Sequence, residues 1–188
     1  MKRSSARGNI KIMIGASGVR QAGWAESEQR FLDLLKPEMW KRYFKPGSID
    51  AILAEHVWEH LSLDDGRDAA NCCLKFLKPG GYLRVAVPDG LNPIPEYIEQ
   101  VRPGGIGAGA QDHKILYTYA TFQRLFELAG FKVVLYEYFD EEGIFHYHEW
   151  DPDDGLIKRS KRFDQRNTGG EIAYNSIILD AVKPDSVE

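Results

Sequence analysis

The chain has 188 residues, of which 43% are hydrophobic and 28% charged, a composition typical of a globular protein with its own core. We therefore expect one domain over residues 1–188. The formal net charge of −4 gives no overall positive field, so nucleic acid is not expected as the main partner. The apolar run at residues 10–14 is too short to span a membrane, and the basic segment 1–8 before it is expected to be a disordered leader.

The only two cysteines, Cys72 and Cys73, are neighbours in the sequence. Adjacent cysteines in a helical pattern cannot form an ordinary disulfide or a spaced pair of metal ligands. We therefore expect a reducing, cytoplasmic compartment.

Strand patterns dominate the first quarter of the chain. The β-branched run 10–14 predicts a first strand that ends at Gly15. Weaker patterns at 23–28 and 30–35 predict a second and a third strand, and the nearly continuous apolar run 49–54 predicts a buried fourth strand.

A helix and a further strand follow. Ser62, with Asp65 three residues later, is typical of a helix start, and this helix is predicted to stop at the Lys-Pro-Gly-Gly stretch 78–81. Residues 82–87 predict a strand that Pro88 ends. Strands and helices that alternate with short links are typical of a parallel sheet.

The segment 90–114 is rich in glycine and proline, which predicts a lid-like loop rather than a packed element. After it, Thr118 is expected to cap a helix whose C-terminal glycine is Gly130.

The last two predicted strands cover residues 131–139 and 172–182, and the segment 140–171 between them is predicted to be an insertion. Such a final pair fits an antiparallel hairpin at the edge of the sheet. We therefore predict an α/β, Rossmann-like fold with a mostly parallel seven-stranded sheet, an antiparallel edge hairpin and helices on both faces.

Ligands of open α/β sheets bind beyond the carboxyl ends of the strands, where the strand order reverses. Residues 15–18 (Gly-Ala-Ser-Gly), Glu55-His56 and Asp89 follow three predicted strands. The full dinucleotide fingerprint G-x-G-x-x-G is absent, which disfavours a pyrophosphate ligand. A glycine turn with a purely structural role is the alternative.

Four stretches of the sequence carry a family resemblance: residues 14–18, 48–52, 55–61 and 77–89, the last containing the Lys-Pro-Gly-Gly motif. Together they resemble the class I S-adenosylmethionine-dependent methyltransferases, and more narrowly a small bacterial group of predicted methyltransferases. The resemblance extends from about residue 10 to residue 183. It implies S-adenosylmethionine as the cofactor and methyl transfer as the activity.

The resemblance also implies roles for individual residues. Gly15, Ala16 and Gly18 would face the methionine part of the cofactor, whose carboxylate suits exposed backbone N–H groups. Glu28, at the end of the second strand, would accept hydrogen bonds from both ribose hydroxyls.

Three further cofactor contacts follow from the same resemblance. Asp33 would lie near the adenine amino group, and Glu55 and His56 would close over the methionine. The sequence departs from the family pattern where an acidic residue usually precedes the glycine loop, because Met13 and Ile14 stand there. This departure leaves a catalytically weak or silent binding module as the alternative function.

Methyl transfer to oxygen or nitrogen needs a group that removes a proton, and imidazole titrates near neutral pH. The candidates are His56, His60, His113, His146 and His148. We select His113, after the glycine-rich segment, and His146 and His148, in the insertion, as catalytic residues. The four-residue spacing of His56 and His60 lacks further ligands in the sequence, so no metal site is predicted.

The insertion also carries a basic cluster, composed of Lys158, Arg159, Lys161, Arg162 and Arg166. It could bind an anionic acceptor such as an acidic glycan or a small molecule, or it could be a solvated face of the protein.

Overall fold

The computed structural model describes residues 9–185, so the predicted leader 1–8 lies outside the described residues. Its strands are β1 (Lys11–Ile14), β2 (Ala25–Ser27), β3 (Ile49–Glu55), β4 (Leu77–Pro88), β5 (Lys132–Phe139), β6 (Phe145–Tyr147) and β7 (Ser176–Val182). They form one seven-stranded sheet in the order β2-β1-β3-β4-β7-β5-β6. Parallel pairs join β1 to β2 and β3, and β3 to β4. β7 is antiparallel to both β4 and β5, and β6 is antiparallel to β5. The predicted Rossmann-like α/β fold is confirmed, but the sheet is mixed rather than mostly parallel, since three of its strand pairs are parallel and three are antiparallel.

The helices are α1 (Pro37–Trp40), α2 (Leu63–Phe76), α3 (Pro95–Val101) and α4 (Tyr119–Leu128). Their ends follow the capping rules: the Ser62 hydroxyl accepts a hydrogen bond from Asp65 N at the start of α2, and Thr118 forms a capping box at the start of α4. Gly130, after α4, has a φ of 100°, as expected for a glycine that ends a helix. None of the described helices has the length and apolar character needed to cross a membrane.

One face of the sheet carries the larger part of the core. Alternate residues of the strands, such as Ile52 and Val85, point toward this face. Against them pack α1, α2 and α4, with the aromatic rings of Trp40, Phe76 and Phe126 fully buried. The helical layer therefore fixes the orientation of the strands whose ends form the site described below.

The opposite face is covered by an excursion of the chain, residues 148–171, which contains a short 3-10 turn at Pro152–Asp154 but no α-helix. Trp150 and Ile157 from this excursion pack on Met13 and Leu53 of the sheet, and the described residues of this cluster include none from an α-helix. The Gln21 side chain fastens the excursion, since its Nε2 donates to Pro152 O at 2.7 Å and its Oε1 accepts from Leu156 N at 2.9 Å. The expectation of helices on both faces therefore needs correction: no helix links β1 to β2, and extended chain takes its place.

Three other expectations differ from the structure. Residues 30–35 form turns rather than a third strand, because Leu32 and Leu34 are buried in the core without a neighbouring strand to pair with. The seventh strand is instead β6, inside the predicted insertion 140–171. The predicted edge hairpin 131–139 with 172–182 does pair antiparallel, but β7 lies between β4 and β5, so β6 forms the edge.

Part of the glycine-rich segment 90–114 forms regular secondary structure. It contains α3 and a 3-10 turn at Ala110–Asp112. Tyr97 and Val101 of α3 are buried against Tyr174. This segment therefore includes a packed helix, and a lid function for it stays a prediction.

Candidate functional site

A cleft of about 890 Å³ opens at the carboxyl ends of β1 and β3. β1 lies between β2 and β3 in the sheet, because the chain passes from β1 to β2 on one side and then crosses to β3 on the other side of β1. The strand order thus reverses here, which is where open α/β sheets bind ligands. The volume of the cleft is within the range of typical small-molecule pockets, roughly 300–1,000 Å³.

The loop after β1 forms one wall of the cleft. Gly15 and Ala16 line it, whereas Gly18 is exposed and is not among the lining residues. Gly15 has a φ of +62°, and a Cβ at this position would lie 3.0 Å from Val57 Cγ2. Only glycine combines this left-handed backbone with so close an approach to a neighbouring side chain.

Glu28 comes directly after β2 and braces this loop. Its Oε1 accepts a hydrogen bond from Ser17 N at 2.8 Å. Among the described residues its Oε2 accepts no hydrogen bond, so one carboxylate oxygen is left for a ligand. Glu28 is half-buried beside the lining residues rather than one of them.

Asp33 lies away from the cleft lining. Its carboxylate accepts from Leu35 N at 2.9 Å and pairs with Lys36 Nζ at 3.1 Å. Burial raises the pKa of this carboxyl, but the hydrogen bond from Leu35 N and the Lys36 ammonium outweigh that effect and leave the pKa below its ordinary value. The side chain thus stabilises a turn.

Glu55, the last residue of β3, holds the excursion over the cleft. Its two carboxylate oxygens accept from Lys158 N at 3.2 Å and from Arg159 N at 2.7 Å. The Arg159 guanidinium lies 3.6 Å from the same carboxylate. Glu55 lines the cleft as predicted by position, yet its carboxylate is engaged by the protein itself.

His56 follows β3 with a φ of +55°, an uncommon conformation for a residue with a side chain. Ser176 has one hydroxyl hydrogen, which it donates to Arg159 O at 2.8 Å, so its oxygen accepts from His56 Nε2 at 3.0 Å. His56 Nδ1 lies 3.0 Å from Glu59 Oε1.

Glu59 is a cleft residue that the sequence analysis did not select. It lines the cleft, its exposed fraction is 0%, and both carboxylate oxygens lack an aligned hydrogen bond within the described part of the chain. Burial is the largest single effect and raises the pKa of this carboxyl. The neighbouring imidazoles of His56 and His60 act against it, and the pKa lies below its ordinary value. Nothing in the sequence marks this carboxylate as buried. Glu59 appears there only as the second Glu of the Glu-His-Val-Trp-Glu-His stretch at residues 55–60.

His113 reaches the cleft because the backbone after it is tied to Glu59, whose carbonyl accepts from Lys114 N at 2.7 Å. Its Nδ1 lies 2.7 Å from Val101 O. A carbonyl oxygen only accepts, so Nδ1 carries the hydrogen, and Nε2 of the neutral ring keeps a free lone pair. The ring meets His60 edge to face, with 4.8 Å between centroids.

The other two predicted catalytic histidines do not line the cleft. His146 stacks on Tyr138 in the β5–β6 hairpin and its Nε2 lies 2.6 Å from Asp140 Oδ2. His148 is exposed. The structure therefore brings His56, His60 and His113 together and leaves these two outside.

The basic cluster divides in the same way. Lys158, Arg159 and Arg166 line the cleft, whereas Lys161 and Arg162 do not. Arg166 is neutralised by Asp164 at 2.6 Å. Within residues 9–185, no carboxylate lies within ion-pair distance of the Lys158 ammonium.

Comparison with known proteins adds to this geometry. The family model described as "Methyltransferase domain" matches residues 15–85, the stretch that holds the β1 loop, β3 and Glu59. No curated protein matches the sequence.

Solved structures resemble the chain over nearly its whole length. A SAM dependent methyltransferase from Archaeoglobus fulgidus has a TM-score of 0.54 at 12% identity, covering 94% of this chain and 87% of that chain. A SAM-dependent methyltransferase of Thermotoga maritima, described as a possible histamine N-methyltransferase, has a TM-score of 0.55 at 14% identity, covering 93% and 81%. Phosphoethanolamine N-methyltransferase 2 of Haemonchus contortus, solved in complex with S-adenosyl-L-methionine, has a TM-score of 0.50 at 16% identity, covering 95% of this chain and 49% of that chain. At these identities the likeness shows a shared fold.

Proposed function

The chain has the fold of the class I S-adenosylmethionine-dependent methyltransferases, and we propose that it transfers the methyl group of S-adenosylmethionine to an anionic small-molecule or glycan acceptor. The observation that carries this proposal is the cleft at the switch point of the sheet, between the ends of β1 and β3. The methyltransferase-domain match covers the loop that follows β1 and the end of β3.

The residues at this cleft fit the cofactor. Gly15 allows a ligand to approach the backbone closely, since it has no side chain and a left-handed φ. Glu28 retains one free carboxylate oxygen for a ribose hydroxyl, while its other oxygen fixes the loop through Ser17 N. Asp33 has a local structural role, so we do not retain it as an adenine contact.

S-adenosylmethionine, when bound, supplies a methyl group on an already activated sulfonium. The protein then has to orient the acceptor and withdraw its proton. His113 offers a free Nε2 lone pair at the cleft, with its ring oriented by the Val101 carbonyl. Of the three predicted catalytic histidines, we keep His113 alone in this proposal.

Negative charge on the acceptor is proposed because of Lys158. It lines the cleft, and its ammonium has no carboxylate partner within the described chain, so it can pair with a bound anion. The other cleft cations, Arg159 and Arg166, already lie beside Glu55 and Asp164. Lys158 is therefore the residue on which acceptor charge should depend.

Isothermal titration with S-adenosylhomocysteine tests the cofactor site. Glu28→Gln should weaken binding about 10- to 100-fold, since a hydrogen bond to a charged group contributes about 1.5–3 kcal/mol. Glu26→Gln is the matched control, because Glu26 is exposed and pairs only with Arg20 at the surface, and it should bind as the unaltered protein does. If the unaltered protein releases no heat up to millimolar ligand, the proposal fails.

Labelled methyl transfer into cell extracts tests the activity and the acceptor. Label should enter an anionic small-molecule or glycan fraction, and Lys158→Ala should reduce the incorporation where Lys161→Ala does not. Binding of S-adenosylhomocysteine without any label transfer would instead favour the silent binding module. Label in uncharged products, unaffected by Lys158→Ala, would contradict an anionic acceptor.

A further inference from the structure

We infer that Glu59, His60 and His113 bind a divalent transition-metal ion at the cleft. One ligand atom from each of these residues lies within 4.8 Å of the others. All three residues line the cleft. The inference rests on this cluster and not on the proposed methyl transfer.

The donor set identifies the class of ion. Two imidazole nitrogens and one carboxylate oxygen suit Zn²⁺, Co²⁺ or Fe²⁺, whereas Mg²⁺ and Ca²⁺ prefer oxygen ligands alone. Ligands bonded to zinc at about 2.0–2.2 Å in tetrahedral geometry lie roughly 3.3–3.6 Å apart. Binding therefore requires the three side chains to move closer together by about 1 Å, from ligand atoms that now lie within 4.8 Å of one another.

Glu59 provides the observation that points most directly to a ligand. A buried carboxylate is expected to be hydrogen-bonded, because burial without partners costs several kcal/mol. Glu59 is fully buried, yet neither oxygen has an aligned hydrogen bond from the described residues. His56 Nδ1 contacts Oε1 at 3.0 Å, which leaves Oε2 without any partner and available to a cation.

One of the two histidines, His113, is already oriented as a ligand, and His60 lies beside it. Metal-binding histidines usually donate their other ring N–H to a carbonyl or a carboxylate, which fixes the tautomer. His113 Nδ1 donates to Val101 O at 2.7 Å, whereas His60 Nδ1 lies 3.3 Å from Asp112 Oδ2 without an aligned hydrogen bond from the described residues. The His113 ring is therefore held with Nε2 free, and it meets the His60 ring edge to face.

Three protein ligands leave at least one coordination position open to the cleft. A hydroxyl of the acceptor could occupy it, and the ion would then lower the pKa of that hydroxyl so that its proton passes to solvent water. His113, as a ligand, would then no longer act as the base. This consequence rests on the proposed function. The metal site itself does not.

Metal binding is tested on the chelator-treated, dialysed full chain. Titration with Co²⁺ should produce d–d absorption bands. These bands should disappear when Zn²⁺ displaces the bound Co²⁺, at about one ion per chain. His113→Gln should weaken Zn²⁺ affinity about 100-fold or more, while the control His148→Gln, an exposed histidine outside the cleft, should leave it unchanged. If His113→Gln does not fold, His60→Gln carries the same expectation.

If the unaltered protein shows no Co²⁺ bands and retains no Zn²⁺, the inference of a metal site is wrong. Equal Zn²⁺ affinity in the protein and in His113→Gln would also overturn it, since the ion would then be bound elsewhere. Titration of the metal-free protein with S-adenosylhomocysteine separates this failure from a failure of the proposed function. Cofactor binding without metal binding rejects only the metal site, and metal binding without cofactor binding rejects only the methyltransferase.

Discussion

Arg84 on β4 and Asp180 on β7 form a buried bidentate ion pair across the antiparallel part of the sheet. Arg84 Nε and Nη2 each donate to one Asp180 oxygen at 2.8 Å. The remaining guanidinium nitrogen, Nη1, donates to Asp151 O at 2.9 Å and to Gly155 O at 3.1 Å. One side chain therefore fastens the cleft-lining excursion to the centre of the sheet.

Removal of one partner of this pair should strongly destabilise the fold. Asp180→Ala leaves a buried guanidinium without its carboxylate, and we expect the free energy of unfolding to fall by about 3–5 kcal/mol. Urea unfolding at pH 7 measures the change. Glu99→Ala is the matched control, because Glu99 and Arg102 form an exposed pair, and its cost should stay below about 1 kcal/mol. Similar losses in the two variants would contradict the anchoring role of Arg84.

Gly15 should tolerate a side chain less well than Gly18. Both have a left-handed φ, which costs an alanine about 1–2 kcal/mol, but only at Gly15 would the new Cβ meet a neighbour, Val57 Cγ2 at 3.0 Å. Gly15→Ala should therefore lower both unfolding stability and S-adenosylhomocysteine affinity by more than Gly18→Ala does.

The double variant Gly15→Ala with Val57→Ala provides the check on this cause. Shortening Val57 removes the close contact, so part of the Gly15→Ala loss should be recovered in the double-variant cycle. Strictly additive losses would mean that backbone strain alone limits the position.

Glu137 should make stability depend on pH in a defined direction. Burial raises the pKa of this carboxyl, and Glu149 adds to the rise, although hydrogen bonds from Lys161 N and Trp150 Nε1 act against it. The folded protein then binds a proton that the unfolded chain has lost, so stability falls as pH rises from about 4.5 through the raised pKa. At higher pH this contribution becomes constant.

Urea unfolding at a series of pH values, for the protein and for Glu137→Gln, isolates this contribution. The difference in unfolding free energy between them, protein minus variant, should decrease as pH rises through that window. Parallel pH profiles would show that Glu137 has an ordinary pKa in the folded protein.

The helices α2 and α4 were the most predictable elements because their signals are local, whereas α1 and α3 were not predicted. Ser62 and Thr118 each bond to a backbone N–H three residues away, so nothing distant is needed to place these helix starts. The pattern at residues 30–35 misled for the opposite reason. Leu32 and Leu34 alternate as a strand does, but whether an alternating run becomes a strand depends on a partner strand, and there a turn held by Asp33 forms instead.

The site shows the same difference between local signals in the sequence and long-range contacts in the fold. The sequence by itself determined where β1 and β4 end, because these short runs stop at glycine or proline, and the rule that ligands bind beyond the carboxyl ends of the strands then predicted the edge of the sheet where the cleft lies. It also identified Gly15 and His113 as residues of interest. Their surroundings were not accessible to it, since Val57 and Val101 contact them only after the chain has folded back.

Only the tertiary structure decided that Glu59, His60 and His113 meet. His113 arrives there through the hydrogen bond from Lys114 N to Glu59 O, a contact between segments with no shared periodicity. The tertiary structure likewise decided that the excursion 148–171, rather than a helix, covers the second face of the sheet. Local patterns set which elements can form, whereas packing and long-range hydrogen bonds choose which side chains become neighbours.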